Sequence, residues 1–245
     1  MDQVQQHIVF LTGAGISAES GLSTFRGKGG LWNNKELMYL ASSEALYYDT
    51  EKFLDFYNAR RLNLSKAEPS RAHALIADLE KIHMVTVITQ NVDNLHERAG
   101  SSTVIHLHGE LSKVCSSNNR ADPRFIREYP LDKPIKLGDD AGDGSQLRPY
   151  VVLFGEYVSG IKVAQDLVST ADIVVVIGTS LSVAPASSLV KYAHHDVPKF
   201  IIDPDEIPVC GALGYKHIKA GASEGMSMLL KELDERCGVT APGNY

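Results

Sequence analysis

The sequence predicts an α/β fold in which a doubly wound parallel sheet carries a smaller inserted module. Its apolar runs of strand length are continuous rather than alternating, which is typical of parallel strands covered on both faces. Helical stripes lie between these runs, and regular alternation of strand and helix predicts a doubly wound sheet. The runs occupy residues 7–12, 84–89, 104–108, 150–154, 173–177 and 200–202.

Two segments interrupt this alternation. Residues 36–64 have a helical pattern with no strand between, and residues 112–146 are polar, with a glycine-rich acidic stretch at 138–144. We therefore predict a Rossmann-like main domain and a small inserted module. The main domain takes residues 1–35, 67–111 and 147–245, and the module takes residues 36–66 and 112–146.

The composition excludes several classes of protein. The chain has 245 residues, 44% of them hydrophobic, which is enough for a full globular core. The net charge of −6 argues against strong non-specific binding of nucleic acid. No apolar run approaches the roughly 20 residues that span a bilayer. The first residues carry no secretory pattern, so we expect a cytoplasmic protein without membrane or nucleic-acid partners.

The first candidate motif is a glycine-rich turn directly after the run at 7–12. Gly13, Gly15 and Ala18 fit the dinucleotide fingerprint G-x-G-x-x-G/A. Glycine lets the backbone turn tightly and bring its N–H groups close to a phosphate. The acidic residue expected about 20 positions later is missing. Phe25, Arg26 and Trp32 follow instead, so we expect a loop that covers its ligand; a purely structural turn is the alternative.

Polar residues follow each of the later runs. In open α/β sheets ligands bind beyond the carboxyl ends of the strands, so these residues are expected to meet at one edge. Any one of them could be an ordinary turn, but their convergence predicts a binding site. The segments are Gln90–His96, His108–Leu111, Phe154–Glu156, Gly178–Pro185 and Asp203–Asp205.

Six motifs together carry a family resemblance. GAGISAESGLSTFRG, TQNVDNLH, HLHGEL, LRPYVVLFGE, VVIGTSLSVAPAS and IIDPDE occur in this order, and the likeness extends from Ile8 to Leu233. The chain resembles the sirtuins, which are NAD-dependent protein lysine deacylases. This resemblance implies that NAD is consumed as a co-substrate rather than used for hydride transfer, which would explain the missing acidic residue.

The resemblance also implies which residues hold NAD. Residues of the glycine turn and of Gly178–Ser180 would hold the diphosphate, and Asn91 and Asp93 would take the nicotinamide carboxamide, which needs both a donor and an acceptor. The implied NAD-binding residues are Gly13, Ala14, Gly15, Ser17, Ala18, Phe25, Arg26, Trp32, Gln90, Asn91, Val92, Asp93, Gly178, Thr179, Ser180, Asp203, Pro204, Asp205 and Ala222.

The implied catalytic residues are His108 and Asn91. In this chemistry the acyl-lysine oxygen attacks the ribose C1′, and Phe25 shields that carbon from returning nicotinamide. His108 is the expected general base for the ribose hydroxyl, because imidazole titrates near neutral pH. His106 and His108 would point to the same side of one strand. With Cys115 nearby a metal site is conceivable, as is a plain core histidine, but further ligands are lacking and we predict no metal.

The implied substrate is an acyl-lysine protein, bound as an extended strand between residues 154–156 and 182–184. Tyr57 and Arg60 lie one helical turn apart and resemble the Tyr-x-x-Arg pair of sirtuins that favour succinyl- and malonyl-lysine. The alternative is an arginine that extends to solvent. The predicted substrate-binding residues are Tyr57, Arg60, Val152, Phe154, Gly155, Glu156, Ser182 and Val183.

Two features of the sequence depart from the family pattern. Most sirtuins bind a structural zinc through two C-x-x-C pairs, but here only Cys115 remains and Asn118 replaces its partner, so zinc is not expected. Asp203 stands where asparagine usually faces the adenosine ribose. An NAD glycohydrolase, an ADP-ribosyltransferase and a noncatalytic NAD sensor remain alternatives, and the oligomeric state is left open.

Overall fold

The computed structural model of the chain describes residues 5–24, 34–207 and 211–237, so the predictions for Phe25, Arg26 and Trp32 lie outside it. Six parallel strands form the central sheet: β1 (His7–Thr12), β2 (Met84–Thr89), β3 (Val104–His106), β7 (Ile173–Ile177), β8 (Lys199–Ile202) and β9 (Lys216–Ile218). Their order is β3-β2-β1-β7-β8-β9. Since the chain starts at the centre and winds out both ways, the predicted doubly wound sheet is confirmed.

Helices cover both faces of this sheet. Helices α4 (Arg71–Leu79) and α7 (Ala222–Cys237) pack on one face, while α6 (Ile161–Ser169) and a short 3₁₀ segment (Ala186–Lys191) pack on the other. Successive residues of β1 alternate between these layers, with Phe10 in the first core and Val9 in the second. Both faces are therefore apolar, which explains the continuous hydrophobic runs.

A second, antiparallel sheet lies beside the first. It contains β4 (Gly109–Ser116), β5 (Arg127–Glu128) and β6 (Leu147–Val151) in the order β5-β4-β6. Helices α1 (Lys35–Leu40), α2 (Ser43–Tyr48) and α3 (Thr50–Lys66) share a hydrophobic core with this sheet, and the short helix α5 (Leu95–Ala99) contributes Leu95 to it. This is the smaller module that accompanies the main sheet.

Arg61 ties α3 to the small sheet. Its side chain is fully buried, Nη1 donates to the Leu111 carbonyl at 2.7 Å, and Nη2 donates to the Pro130 carbonyl at 2.6 Å. Carbonyl oxygens at these distances satisfy a charge that would otherwise be costly to bury. Arg61 therefore has a structural role that its sequence position next to Arg60 did not indicate.

The run at 150–154 differs from its prediction. It was expected in the parallel sheet, but the strand there is β6, which ends at Val151 and pairs antiparallel with β4. Pro149 lies within this strand, and β6 is the last strand in the order β5-β4-β6. A proline is tolerated on an edge strand because its missing N–H faces away from the ladder.

The run at 104–108 also divides. Strand β3 ends at His106, and β4 begins at Gly109, whose φ is +77°. A Cβ at Gly109 would lie 2.2 Å from the Tyr150 carbonyl oxygen, so only glycine fits this close approach of β6. The turn leads the chain out of the large sheet into the small one. The prediction that His106 and His108 share one strand side is therefore wrong.

The predicted division of the chain into a main domain and a module stays a prediction. Strand β4 crosses the proposed boundary after residue 111, whereas β6 begins at the proposed boundary at 147. In the described ranges, no helix is long and apolar enough to cross a membrane.

Candidate active site

A cavity of about 490 Å³ opens at the carboxyl ends of β1, β2, β7 and β8. It contains the residues expected from strand ends that are far apart in sequence. A second cavity of about 230 Å³ shares Ala14, Phe56, Arg60, Asn91 and Val92 with the first. The predicted NAD-binding residues that line the larger cavity are Gly13, Ala14, Gly15, Ala18, Gln90, Asn91, Val92, Gly178, Thr179, Ser180, Asp203, Pro204, Asp205 and Ala222.

The glycine turn packs directly on the backbone after β7. The Gly13 N–H donates to the Ile177 carbonyl at 3.0 Å, and the Gly15 N–H donates to the Gly178 carbonyl at 2.9 Å. A Cβ at Gly15 would lie 2.5 Å from the Gly178 Cα, so the two segments could not approach with larger residues. These two amides are used within the protein. Gly13 and Gly15 therefore shape the cavity by close packing rather than by offering their own N–H groups.

Ser17 and Asp93 line the second cavity beside Asn91. The Ser17 hydroxyl donates to Asp93 Oδ2 at 3.0 Å and accepts from Asn91 Nδ2 at 3.2 Å. Asn91 Nδ2 also donates to the Gly13 carbonyl at 3.1 Å. Burial raises the pKa of the Asp93 carboxyl, although hydrogen bonds from the Leu95 N–H and Ser17 oppose that effect. The expected carboxamide-binding pair therefore lies at the junction of the two cavities, with its orientation fixed.

His108 lies half-buried in the wall of the larger cavity. Its Nδ1 is 2.9 Å from the Gln90 carbonyl oxygen, which can only accept, so Nδ1 carries the proton and Nε2 is the basic nitrogen. Burial lowers the pKa of His108 even though the Gln90 bond favours the charged form. The ring is therefore neutral and basic near pH 7, as a general base requires.

Tyr57 and Arg60 both line the larger cavity, on the side of α3. Tyr57 is buried against Phe53 and Phe56, with ring centroids 4.8 Å and 5.0 Å away. Burial raises the pKa of Tyr57 to about 12, so its hydroxyl stays protonated and can donate. Burial lowers the pKa of Arg60, and the guanidinium lies 5.6 Å above the Phe56 ring. Arg60 therefore presents a cation inside the site rather than in solvent.

The predicted peptide-binding residues divide into two groups. Val152, Phe154, Ser182 and Val183 line the cavity, whereas Gly155 and Glu156 are outside its walls. The Phe154 N–H donates to the Ala41 carbonyl at 3.0 Å, and the Ser43 N–H donates to the Phe154 carbonyl at 3.1 Å. Since the Phe154 backbone is already paired with α2's N-terminal segment, a peptide strand has to use other backbone groups of this loop.

Glu156 is engaged by two arginines. Its carboxylate accepts from Arg148 Nη2, lies 3.4 Å from Arg120 Nε, and accepts from the Leu153 N–H at 2.9 Å. The Arg148 side chain is 1% exposed. Glu156 therefore closes the turn that carries Phe154 and does not face the substrate cavity.

Glu19, which was not among the predicted site residues, also lines the larger cavity. Its carboxylate accepts from the Ser223 N–H at 3.1 Å and from the Ser223 hydroxyl, at the start of α7. Asp203 and Asp205 lie in the same wall. Burial raises the pKa of Asp203, and the Asp205 N–H donates to its Oδ1 at 2.9 Å. Glu19 lies within the glycine-turn motif, but nothing in its spacing marks it as a cavity residue.

A glycine turn at the switch point of a parallel sheet, beside an amide–carboxylate pair and a ring base, defines a nucleotide-binding α/β enzyme. The Sir2 family matches residues 13–185. The NAD-dependent protein deacylase of Bacteroides thetaiotaomicron is 50% identical over 225 residues, which cover 91% of this chain and 96% of that protein. The chain therefore belongs to the Sir2 family, the sirtuins.

Solved structures agree with this assignment. A mutant Sir2 homologue with ADP-ribose bound is 37% identical, has a TM-score of 0.84, and is matched over 96% of this chain and 94% of its own. A Sir2 homologue–NAD complex is 38% identical with a TM-score of 0.82, matched over 97% and 92%. Sirtuins use NAD as co-substrate, so this prediction is confirmed.

The expectation that the chain binds no structural zinc stays a prediction, and it concerns the surroundings of Cys115. The Cys115 thiol is buried 3.6 Å from the Pro149 carbonyl, and burial raises its pKa to about 11. Beside it, the Ser116 hydroxyl donates to Asp143 Oδ2 at 2.7 Å, and the Asn118 N–H donates to that hydroxyl at 3.0 Å. These hydrogen bonds join the loop after β4 to the segment that contains Asp143.

We expect the purified, untagged protein to contain well under one zinc ion per chain. Treatment with a chelator should change neither its melting temperature nor its activity, because no thiolate set has to be held together by metal. Elemental analysis and thermal melts with and without the chelator test this. Stoichiometric zinc, or a melting temperature that drops on chelation, would contradict the expectation.

Proposed function

We propose that the protein is an NAD-dependent protein lysine deacylase. It removes acetyl groups and, through Tyr57 and Arg60, succinyl or malonyl groups, and it produces nicotinamide, deacylated lysine and 2′-O-acyl-ADP-ribose. One observation carries the proposal: the contact of His108 Nδ1 with the Gln90 carbonyl leaves Nε2 as the basic nitrogen of a ring that lines the same cavity as Asn91 and the glycine turn. A noncatalytic sensor would need no such base.

Each group of residues in the cavity has a separate part in the proposed reaction. NAD supplies the ADP-ribosyl group of the reaction. Gly13, Gly15 and Gly178 make room for its diphosphate. Asn91 and Asp93 orient the nicotinamide amide at the junction of the cavities. His108 accepts the proton of a ribose hydroxyl and so raises its nucleophilicity toward the acyl carbon. Val152, Phe154, Ser182 and Val183 surround the acyl-lysine side chain.

Arg60 supports the acidic acyl preference. A carboxylate on the acyl chain would meet a guanidinium held in the cavity, with the protonated Tyr57 hydroxyl as a second donor. Charge-assisted, forked hydrogen bonds of this kind are the strong ones. An acetyl group offers no such partner, so Arg60 should matter for one substrate class and not for the other.

Incubation of the protein with NAD and with acetyl-, succinyl- or malonyl-lysine peptides tests the proposed reaction. Mass spectrometry should find nicotinamide and acyl-ADP-ribose only when an acyl peptide is present. Free ADP-ribose formed equally without peptide would mean an NAD glycohydrolase, and ADP-ribosylated peptide would mean a transferase. Unchanged NAD in every mixture would contradict enzymatic function.

Replacing Arg60 with methionine should weaken desuccinylation about ten- to a hundredfold, since a charged hydrogen bond contributes roughly 1.5–3 kcal/mol. Deacetylation should stay largely intact. The adjacent Arg61 is a matched control, because Arg61→Met removes bonds to the Leu111 and Pro130 carbonyls and should lower stability and both activities together. Equal losses on both substrates in Arg60→Met would contradict the proposed acyl preference.

A further inference from the structure

Three successive carbonyl groups hold the segment that carries Asn91. The Gln90 carbonyl accepts from the His108 ring at 2.9 Å, the Asn91 carbonyl lies 3.2 Å from His106 Nδ1, and the Val92 carbonyl accepts from the Leu111 N–H at 2.7 Å. All three partners come from the turn between β3 and β4 or its edges. The position of the Asn91 backbone therefore depends on this turn.

His106 differs from His108 in having acceptors at both ring nitrogens. Its Nε2 is 2.7 Å from Glu97 Oε1, while its Nδ1 faces the Asn91 carbonyl. A carbonyl oxygen cannot donate, and neither can an ionised carboxylate, so each ring nitrogen needs its own proton to make both bonds. A neutral imidazole carries only one such proton. The geometry is that of an imidazolium.

We propose that His106 is a charged imidazolium that acts as a positioning residue for Asn91, by clamping its carbonyl while Glu97 holds the other side of the ring. The functional part of this inference rests on the proposed deacylase activity. His106 does not line either cavity, so it acts through Asn91 and does not touch the substrate. Loss of its charge should loosen the segment that orients nicotinamide.

The surroundings of the ring favour the charge. The His106 side chain is 7% exposed, and burial alone would lower its pKa, but the Glu97 hydrogen bond and charge, together with Glu110, raise the pKa of His106 above its ordinary value. Lys113 neutralises Glu110 at 2.6 Å. Asp93 and His96 are further titratable groups of the described part of the chain that interact electrostatically with this ring.

A metal ion is the competing occupant of this cluster. Ligand atoms of Glu97, His106 and Glu110 all lie within 4.8 Å of one another. An imidazolium has no lone pair for a metal, however, and the Lys113 ammonium already contacts Glu110. The two possibilities predict opposite protonation states for one ring, which makes them separable by experiment.

The direct test is nitrogen NMR of the protein labelled at histidine, with His106→Gln to assign the signal. At pH 7 both His106 ring nitrogens should show attached protons, and the ring should lose a proton only above the ordinary histidine pKa of about 6.5. A neutral ring at pH 7, or a ring that shifts on addition of equimolar zinc, would overturn the proposal. This NMR measurement does not require the protein to be catalytically active.

The kinetic test uses exchange of labelled nicotinamide into NAD. In Glu97→Gln the His106 pKa should fall by about one unit or more, since an opposite charge within hydrogen-bonding distance has this effect. The alkaline limb of the exchange rate should move to lower pH by the same amount. Glu68→Gln is the control. Glu68 is 81% exposed and pairs at 3.0 Å with Arg98, the residue that follows Glu97 in α5, so this variant removes a nearby charge that does not contact His106.

An unmoved alkaline limb in Glu97→Gln, or an equal shift in Glu68→Gln, would refute the positioning role. Absence of exchange in the unmodified protein at every pH would instead refute the proposed function, while the NMR result would still decide the protonation state of His106. The two failures are therefore distinguishable.

Discussion

Replacing His108 with alanine is expected to lower the rate of deacylation by about 10²–10⁴-fold, the usual effect of losing a general base. The Nε2 of this ring is the basic nitrogen in the cavity wall because Nδ1 donates to the Gln90 carbonyl. Alanine would remove both the base and one of the bonds that hold the Asn91 segment. The rate is measured with saturating NAD and an acylated peptide, by mass spectrometry of the products.

A second measurement separates the base from the fold. Exchange of labelled nicotinamide into NAD needs only the first half of the reaction, so it should persist at least in part in His108→Ala. His194→Ala is a control at an exposed histidine and should leave both rates unchanged. If His108→Ala keeps near-normal deacylation, or if exchange and deacylation fall together to zero, His108 is not the base for the later step.

The pH dependence follows from the direction of the pKa shift. Burial lowers the pKa of His108, so the ring remains in its neutral, basic form to a lower pH than an exposed histidine does. The acidic limb of the deacylation rate should therefore fall below the ordinary histidine value of about 6.5. Because the pKa of His108 is lower in the folded than in the unfolded state, the unfolded state binds a proton more readily. Lowering the pH through this range should therefore lower the free energy of unfolding.

Three strands of the large sheet could be predicted to the residue because the hydrophobic pattern that marks them is local in sequence. Strands β1, β2 and β7 begin and end where their apolar runs do, since helices cover both faces and polar residues start at the sheet edge. Strand β9 was missed because Lys216 is exposed and the strand has three residues. A short edge strand carries too little hydrophobic pattern to be separated from a loop.

The small sheet depended on contacts that are distant in sequence. Strand β6 was not predicted with its correct bounds because Pro149 lies within it. The turn that separates His106 from His108 was not predicted because Gly109 follows an apolar run without any other turn signal. The motifs predicted the strand ends that would meet at the cavity, but not which polar atoms are already used inside the protein. The hydroxyl of Ser17 and the carboxylate of Glu156 are both engaged by neighbouring side chains. Such pairing appears only once the partners are positioned in three dimensions.

Replacing Glu156 with glutamine is expected to lower the free energy of unfolding by about 3–5 kcal/mol, the cost of leaving a buried charge without its partner. Arg148 is 1% exposed and its guanidinium contacts the Glu156 carboxylate. Arg120, with 10% of its side chain exposed, shares that carboxylate at 3.4 Å. Both cations would keep their burial and lose their compensating charge. Urea unfolding, with midpoints and m-values compared, measures the effect.

Two further variants test whether the missing charge is the cause. Asp166→Asn removes the exposed pair with Lys162, at 2.6 Å, and should cost less than about 1 kcal/mol. Arg148→Met combined with Glu156→Leu removes Arg148 together with the carboxylate and should recover part of the loss, because only Arg120, rather than both cations, is then left without its partner. If the double variant is as unstable as Glu156→Gln or worse, the Arg148–Glu156 charge pair is not what the loss reports. The stability would then depend on the Arg120 contact or on the Leu153 N–H bond, because both variants disturb these two by changing the Glu156 carboxylate.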